Sequence, residues 1–169
     1  NYTSLKSLTG IVRERALGKY YICVVKGRVD RERDIKAYLA KDDKLNKVSI
    51  SYEPKTGSRE IHTKIKPLSY NDGFTLLEID LVTGRSHQIR AQLSNLGYPI
   101  IGDIKYGDKG TNAYFREEYG LKSQLLYGYK IKFEEVLGSL DYLSGRIFTS
   151  KLPSLYGNII EELFQYNIG

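Results

Sequence analysis

LLEIDLVTGRSHQIRAQLSNLGYPIIGDIKYG, residues 76–107, carries strand, turn, helix and stop signals in unbroken succession, and the chain is read outward from it. Leu77, Ile79 and Leu81 alternate with Glu78 and Asp80, the period of a strand with one buried face. Thr83 and Gly84 break that strand. Ser86 is then placed to cap a helix whose apolar positions Ile89, Leu93 and Leu96 fall at i, i+4 and i+7, and Gly97 with Pro99 stops it. On that wheel His87, Arg90, Ala91 and Ser94 lie away from the apolar stripe. Arg85 stands just ahead of the cap, where backbone N–H groups and the helix dipole also favour anions. Positive charge is thus gathered at one turn.

The composition bounds the class. At 169 residues the chain fits one domain with a substantial core, and 41% hydrophobic with 27% charged residues is a globular balance rather than a disordered one. No apolar run approaches the roughly 20 residues of a membrane helix, so no membrane association is expected. The opening NYTSLKSLTG lacks the basic-then-apolar order of a signal peptide, and the expected location is the cytoplasm. A formal charge of +6 and a pI of about 9.2 suit a polyanionic partner. Cys23, alone in the apolar run YYICVV, reads as a buried and inert thiol. With His62 and His87 it completes the soft ligands, too widely spaced for a zinc site, and no metal is expected. The sequence holds no methionine, even at position 1, so its first residues read as the interior of something longer.

In chain order, residues 3–16 place Leu5, Leu8, Val12 and Ala16 at helical spacing, with Gly18 ending the helix. KYYICVVKG, residues 19–27, is an apolar, β-branched and aromatic strand. The charged stretches 28–36 and 41–47 read as exposed connections around a short strand KAYLA. VSISY at 48–52 and IHTKIKPLSY at 61–70 alternate as strands joined by a turn on Pro54 and Gly57, and Asn71-Asp72-Gly73 is a hairpin signal. Residues 111–120 suggest a loop or one helical turn. QLLYGYKIKFEEV alternates again, with Leu126, Gly128, Lys130 and Lys132 on one side. SGRIFTSKLPS is a closing strand and loop, and LYGNIIEELFQY a closing amphipathic helix. The expected architecture is a mixed α/β (α+β) domain with a largely antiparallel sheet, flanking helices and a basic cleft where the Leu76 strand ends.

Taken singly, Arg85 and Arg90 read as solvated charges and His87 as a capping residue. Taken together the run says more. TGRSHQIRAQL followed by GYPIIGDIKYG resembles the TGRxHQIR and GxPxxGDxxYG signatures of the RluA-type RNA pseudouridine synthases, which modify uridines in ribosomal and transfer RNA. KYYICVVKG is similar to that family's KxYxAxVxG segment, and QLLYGYKIKF to its LxLHAxxLxF strand, with Tyr127 and Gly128 where His and Ala are usual.

The resemblance implies a pseudouridine synthase-like fold and the isomerisation of uridine to pseudouridine, with RNA as partner and no cofactor. It implies that Arg90 pairs with a catalytic aspartate, that Tyr21 stacks on the flipped uracil, and that Leu126 lines its apolar wall, with Ile89 counted among the substrate-binding residues. Arg85 and Lys105 become candidates for phosphate contacts, and His87 for orienting the turn. Tyr21 as a sheet tyrosine and Leu126 as ordinary core remain the plain alternatives. Asp103 is expected to cap or pair within its own turn. The family's catalytic HRLDxxTSG motif has no counterpart in these 169 residues. The chain is therefore expected to correspond to the C-terminal portion of a catalytic domain, inactive alone, with the aspartate upstream. The second reading is a non-catalytic basic RNA-binding module that has lost its aspartate.

Overall fold

Alternating apolar residues in closely spaced runs build an antiparallel meander, in which tight turns return the chain beside itself and the central strands bury residues on both faces. A computed structural model describes residues 17–42, 46–138 and 140–168. Its strands are β1 (Leu17–Lys26), β2 (Arg33–Asp42), β3 (Lys47–Ser51), β4 (Arg59–Asn71), β5 (Phe74–Leu81), β6 (Leu126–Phe133) and β7 (Ile147–Thr149). They form one seven-stranded sheet in the order β3-β2-β4-β5-β1-β6-β7, antiparallel throughout. The helices are α1 (Gln88–Asn95), α2 (Lys109–Tyr119) and α3 (Ser154–Phe164), with a short 3₁₀ turn at Asp141–Leu143. The helix expected over residues 3–16 lies outside the described residues.

Paired residues in a sheet share a face, so the register divides the core in two. Tyr21↔Ile79 and Cys23↔Leu77 point to one face, where Val25, Ile65 and Leu81 join Ile89 and Leu93 of α1. Ile22 and Val24 point to the other and pack with Leu76, Phe115 of α2, Leu125, and Ile159 and Ile160 of α3. A third cluster places Ala37, Leu39, Val48 and Ile61 against Ala91. Among the described residues one face thus receives α1 alone, and the end of that face holds the candidate site.

Several local expectations are corrected. The stretch at 111–120 belongs to an 11-residue helix, not one turn, because the Asp108 carboxylate accepts the Thr111 N–H at 2.9 Å and left-handed Gly120 closes the other end. Those bonds, with Lys26 beside it, pull the Asp108 carboxyl down to about 2. Arg33–Lys36 are strand rather than exposed connection, and β1 already includes Gly18. Ala91 is buried, since α1 also lies over the β2–β3 end of the sheet. In β6 a bulge shifts the register between Tyr20↔Lys130 and Tyr21↔Gly128, which turns Lys130 and Lys132 to the face opposite Leu126 and Gly128. A second bulge in β4 follows Pro67, which cannot donate a ladder hydrogen bond.

The packing predicts unequal costs for two adjacent aromatics. Phe115 is fully buried and meets Phe74 edge-on at 5.1 Å, while Tyr114 is half exposed. Phe115→Ala is expected to lower the unfolding free energy by about 3–5 kcal/mol and Tyr114→Ala by under about 1 kcal/mol, measured by chemical denaturation. Equal losses would contradict this assignment of the core.

Candidate active site

β5 ends at Leu81, and the chain turns through Thr83–His87 before α1 begins at Gln88. The expected Ser86 cap is not made. His87 occupies the cap position in the left-handed region (φ 57°), with no side-chain cap bond. The turn is held instead by Gln88, 2% exposed, whose four bonding positions are filled. Its Oε1 accepts from the Arg85 N–H and the Thr83 hydroxyl, both at 3.0 Å, and its Nε2 donates to His62 O at 3.2 Å and Thr63 Oγ1 at 2.9 Å. A buried amide so satisfied fixes the turn to β4.

The first turn of α1 carries Arg90 to Asp103, a carboxylate that pairs beyond its own turn, contrary to expectation. Arg90 Nε and Nη2 each donate at 2.7 Å, to Asp103 Oδ2 and Oδ1, a two-pronged pair. Asp103 is fully buried, whereas the Arg90 side chain is 17% exposed. Oδ1 also accepts the N–H groups of Lys105 (2.9 Å) and Tyr106 (3.0 Å). Burial pushes the Asp103 carboxyl upward, but the Arg90 guanidinium and these two N–H groups outweigh it and hold it below the ordinary range. The same bonds raise Arg90 further above its already high value, so both partners stay charged.

The loop around Asp103 is anchored in turn. Asn112 of α2 accepts the Gly102 N–H at 2.7 Å and donates to Asp103 O at 2.9 Å. At Gly102 (φ +76°) a β-carbon would sit 2.3 Å from Ser123 O, and at Gly107 it would sit 2.2 Å from Asp103 O, so only glycine lets these backbones meet.

Tyr106 closes the arrangement from the side. Its hydroxyl accepts the Val48 N–H and lies 3.0 Å from His87 Nδ1, while the Arg90 guanidinium lies 5.3 Å from its ring centre. Burial, with Arg90 and Lys105 nearby, lowers the His87 pKa and favours its neutral form.

These elements border an open pocket of about 170 Å³ lined by Tyr21, Leu81, Arg85, His87, Gln88, Ile89, Arg90 and Leu126. Six of the seven residues singled out in the sequence therefore meet at one place. Lys105 stands apart, its ammonium donating to Asn46 O. The Tyr21 ring lies along Gly128, where a β-carbon would approach its Cε1 to 3.2 Å, so the missing side chain makes room for the ring. Asp103, Tyr106, Gln88 and Leu81 were not singled out as contributors. Asp103 and Tyr106 were within reach, since both lie in the GDIKYG run. An apolar wall faces a fixed cation here, an arrangement able to hold a flat base and to hold a carboxylate ionised.

Asp103→Asn is expected to cost about 3 kcal/mol at pH 7, near the lower end for breaking a buried pair because Arg90 keeps some access to water. A carboxyl whose folded pKa is depressed contributes stability above its unfolded pKa of about 3.9 and loses it as pH falls through the lower folded value. The deficit of the variant should therefore narrow below about pH 4, read by denaturant titration across pH. A deficit unchanged at low pH would contradict the ion pair.

The geometry coincides with a match along the chain. The family model for RNA pseudouridylate synthase covers residues 1–95, more than half of the sequence. Ribosomal large subunit pseudouridine synthase C of Buchnera aphidicola is 34% identical over 131 residues, covering 76% of this chain and 41% of that protein. An uncharacterized RNA pseudouridine synthase of Helicobacter pylori is 34% identical over 119 residues, covering 70% of this chain and 45% of that protein. The chain thus spans less than half the length of these relatives. The solved structure of human RNA pseudouridylate synthase domain containing 4 shares the fold, with a TM-score of 0.74 at 19% identity over 96% of this chain and 68% of the other. On the family match, the chain belongs to the RNA pseudouridylate synthases.

Proposed function

We propose that this chain supplies the base-binding and arginine half of a site that isomerises uridine to pseudouridine in RNA. The observation that carries the proposal is the gathering of Tyr21, Ile89, Leu126 and Arg90 around one cavity at the end of β5. The reaction breaks the bond from N1 to C1′, turns the detached uracil and joins C5 to C1′. The C5 proton leaves and N1 ends protonated. No electrons are exchanged with another molecule, so no redox partner is required.

The chain's residues divide the work. Tyr21 stacks on the extruded uracil, and Leu126 with Ile89 forms the apolar wall. Arg90, already fixed by Asp103, offers its remaining N–H groups to the nucleophilic carboxylate and keeps it ionised. Asp103 is not that nucleophile, because both its oxygens are taken and no part of it is exposed. The nucleophile is an aspartate supplied by protein outside these 169 residues. His87 orients the turn through Tyr106, and Arg85 and Lys105 contact phosphates. The name of the Buchnera relative favours ribosomal RNA as substrate, and with it a cytoplasmic site of action.

Release of tritium from RNA labelled at uridine C5 tests the proposal. The complete gene product should release tritium from ribosomal RNA and these 169 residues alone should not. Arg90→Lys should lower kcat at least ~100-fold, since an ammonium cannot keep the two-pronged grip on Asp103 while reaching the cavity. Tyr21→Ala should weaken RNA binding by about 1–3 kcal/mol. RNA binding without tritium release by the complete product would instead establish a non-catalytic RNA-binding module.

A further inference from the structure

The turn that carries Asp103 projects an apolar side chain into water. Within residues 76–107 Ile104 is the one large apolar side chain that is exposed, at 74%, and it joins none of the apolar clusters of the core. Exposed apolar residues are common one by one. This one is set apart by the rigidity of its mount. Asp103 O accepts the Gly107 N–H at 2.8 Å and the Asn112 amide at 2.9 Å, and Asp103 Oδ1 accepts the N–H groups of Lys105 and Tyr106. An aliphatic side chain makes none of these bonds, and a polar residue at 104 would let the turn close equally well. Packing therefore does not account for the isoleucine. Its branched β-carbon restricts χ1, which makes it a stiff projection.

The same turn is tied to the base pocket on both sides of Ile104. Asp103, just before it, grips Arg90, and Tyr106, two residues on, lies 3.0 Å from His87. Arg90 and His87 both line the pocket beside Tyr21. Bond lengths alone place the Ile104 Cα within about 10 Å of the Arg90 guanidinium. A nucleotide swung out of its stack turns about its backbone, so the gap it leaves lies beside the base pocket and not in it. Isoleucine is among the apolar side chains that can part neighbouring bases, and an apolar group enters such a gap without shedding bound water.

We propose that Ile104 enters the gap that the target uridine leaves in the RNA stack and so holds the base extruded beside Tyr21. This rests on the reading of the pocket as a uracil site. Ile104 then acts on extrusion, touching the flanking bases and not the uracil.

The test first maps the uridine that the complete gene product modifies in ribosomal RNA, then presents it in two synthetic stem–loops tritiated at its C5. In one the uridine is paired and stacked; in the other it bulges between mismatched neighbours, so that extrusion costs little. Ile104→Ala is expected to lower kcat/KM at least ~10-fold on the paired stem–loop and under ~2-fold on the bulged one, with Ile104→Leu restoring most of the loss. The melting temperature should not change, because the side chain is no part of the core. Equal losses on both stem–loops, or no loss on the paired one, would overturn the wedge while leaving the uracil site standing. A clearly lowered melting temperature would overturn it too, by showing Ile104 covered by the rest of the protein. Absence of any modified uridine with the unsubstituted protein would overturn wedge and uracil site together.

Discussion

Everything at the candidate site depends on a buried carboxylate that must be paired. Asp103 is wholly out of water, and an unpartnered charge there would cost several kcal/mol. The fork from Arg90 and two backbone N–H groups offset that cost, and in doing so fix the guanidinium to one orientation. The requirement reaches outward. Gly102 and Gly107 allow the loop to fold tightly around Asp103, and Asn112 ties that loop to α2. Gln88 holds the preceding turn to β4. Arg90 therefore meets the cavity as a preset charge, and little rearrangement is needed to receive a second carboxylate.

The sheet supplies the asymmetry that makes such a site usable. Its two faces bury different sets of residues from the same strands, and α2 and α3 both cover the face opposite the cavity. Among the described residues the face with α1 is left open beyond Leu81. Tyr21 and Leu126 reach that opening because they follow Cys23 in register, as Tyr21↔Gly128 and Cys23↔Leu126 show.

Much of this was legible in residues 76–107, where local signals agree with one another: alternation gave β5, the apolar stripe gave α1, and the motif gathered Arg85, His87, Ile89 and Arg90. Tyr21 and Leu126 came through the family resemblance rather than through periodicity. What stayed hidden depends on contacts between distant elements. Asp103 looks local in the sequence because its partner Arg90 lies on α1, thirteen residues earlier. Gln88 is an ordinary polar position on a helical wheel until β4 is folded behind it. The bulge in β6 is invisible to a period-2 reading, which assigned Lys130 and Lys132 to the wrong face. The helix over 109–119 was underestimated because Gly110 and Thr111 are poor helix formers, although Asp108 supplies a strong cap.

A structure of the complete gene product bound to RNA carrying 5-fluorouridine at the modified position examines the central claim most directly, since the fluorine replaces the hydrogen that has to leave C5. The account predicts the base between Tyr21 and Leu126, Arg90 still gripping Asp103 by Nε and Nη2, and its remaining N–H groups on an aspartate from outside these 169 residues. A base bound elsewhere, or Arg90 released from Asp103 to meet the RNA itself, would contradict it.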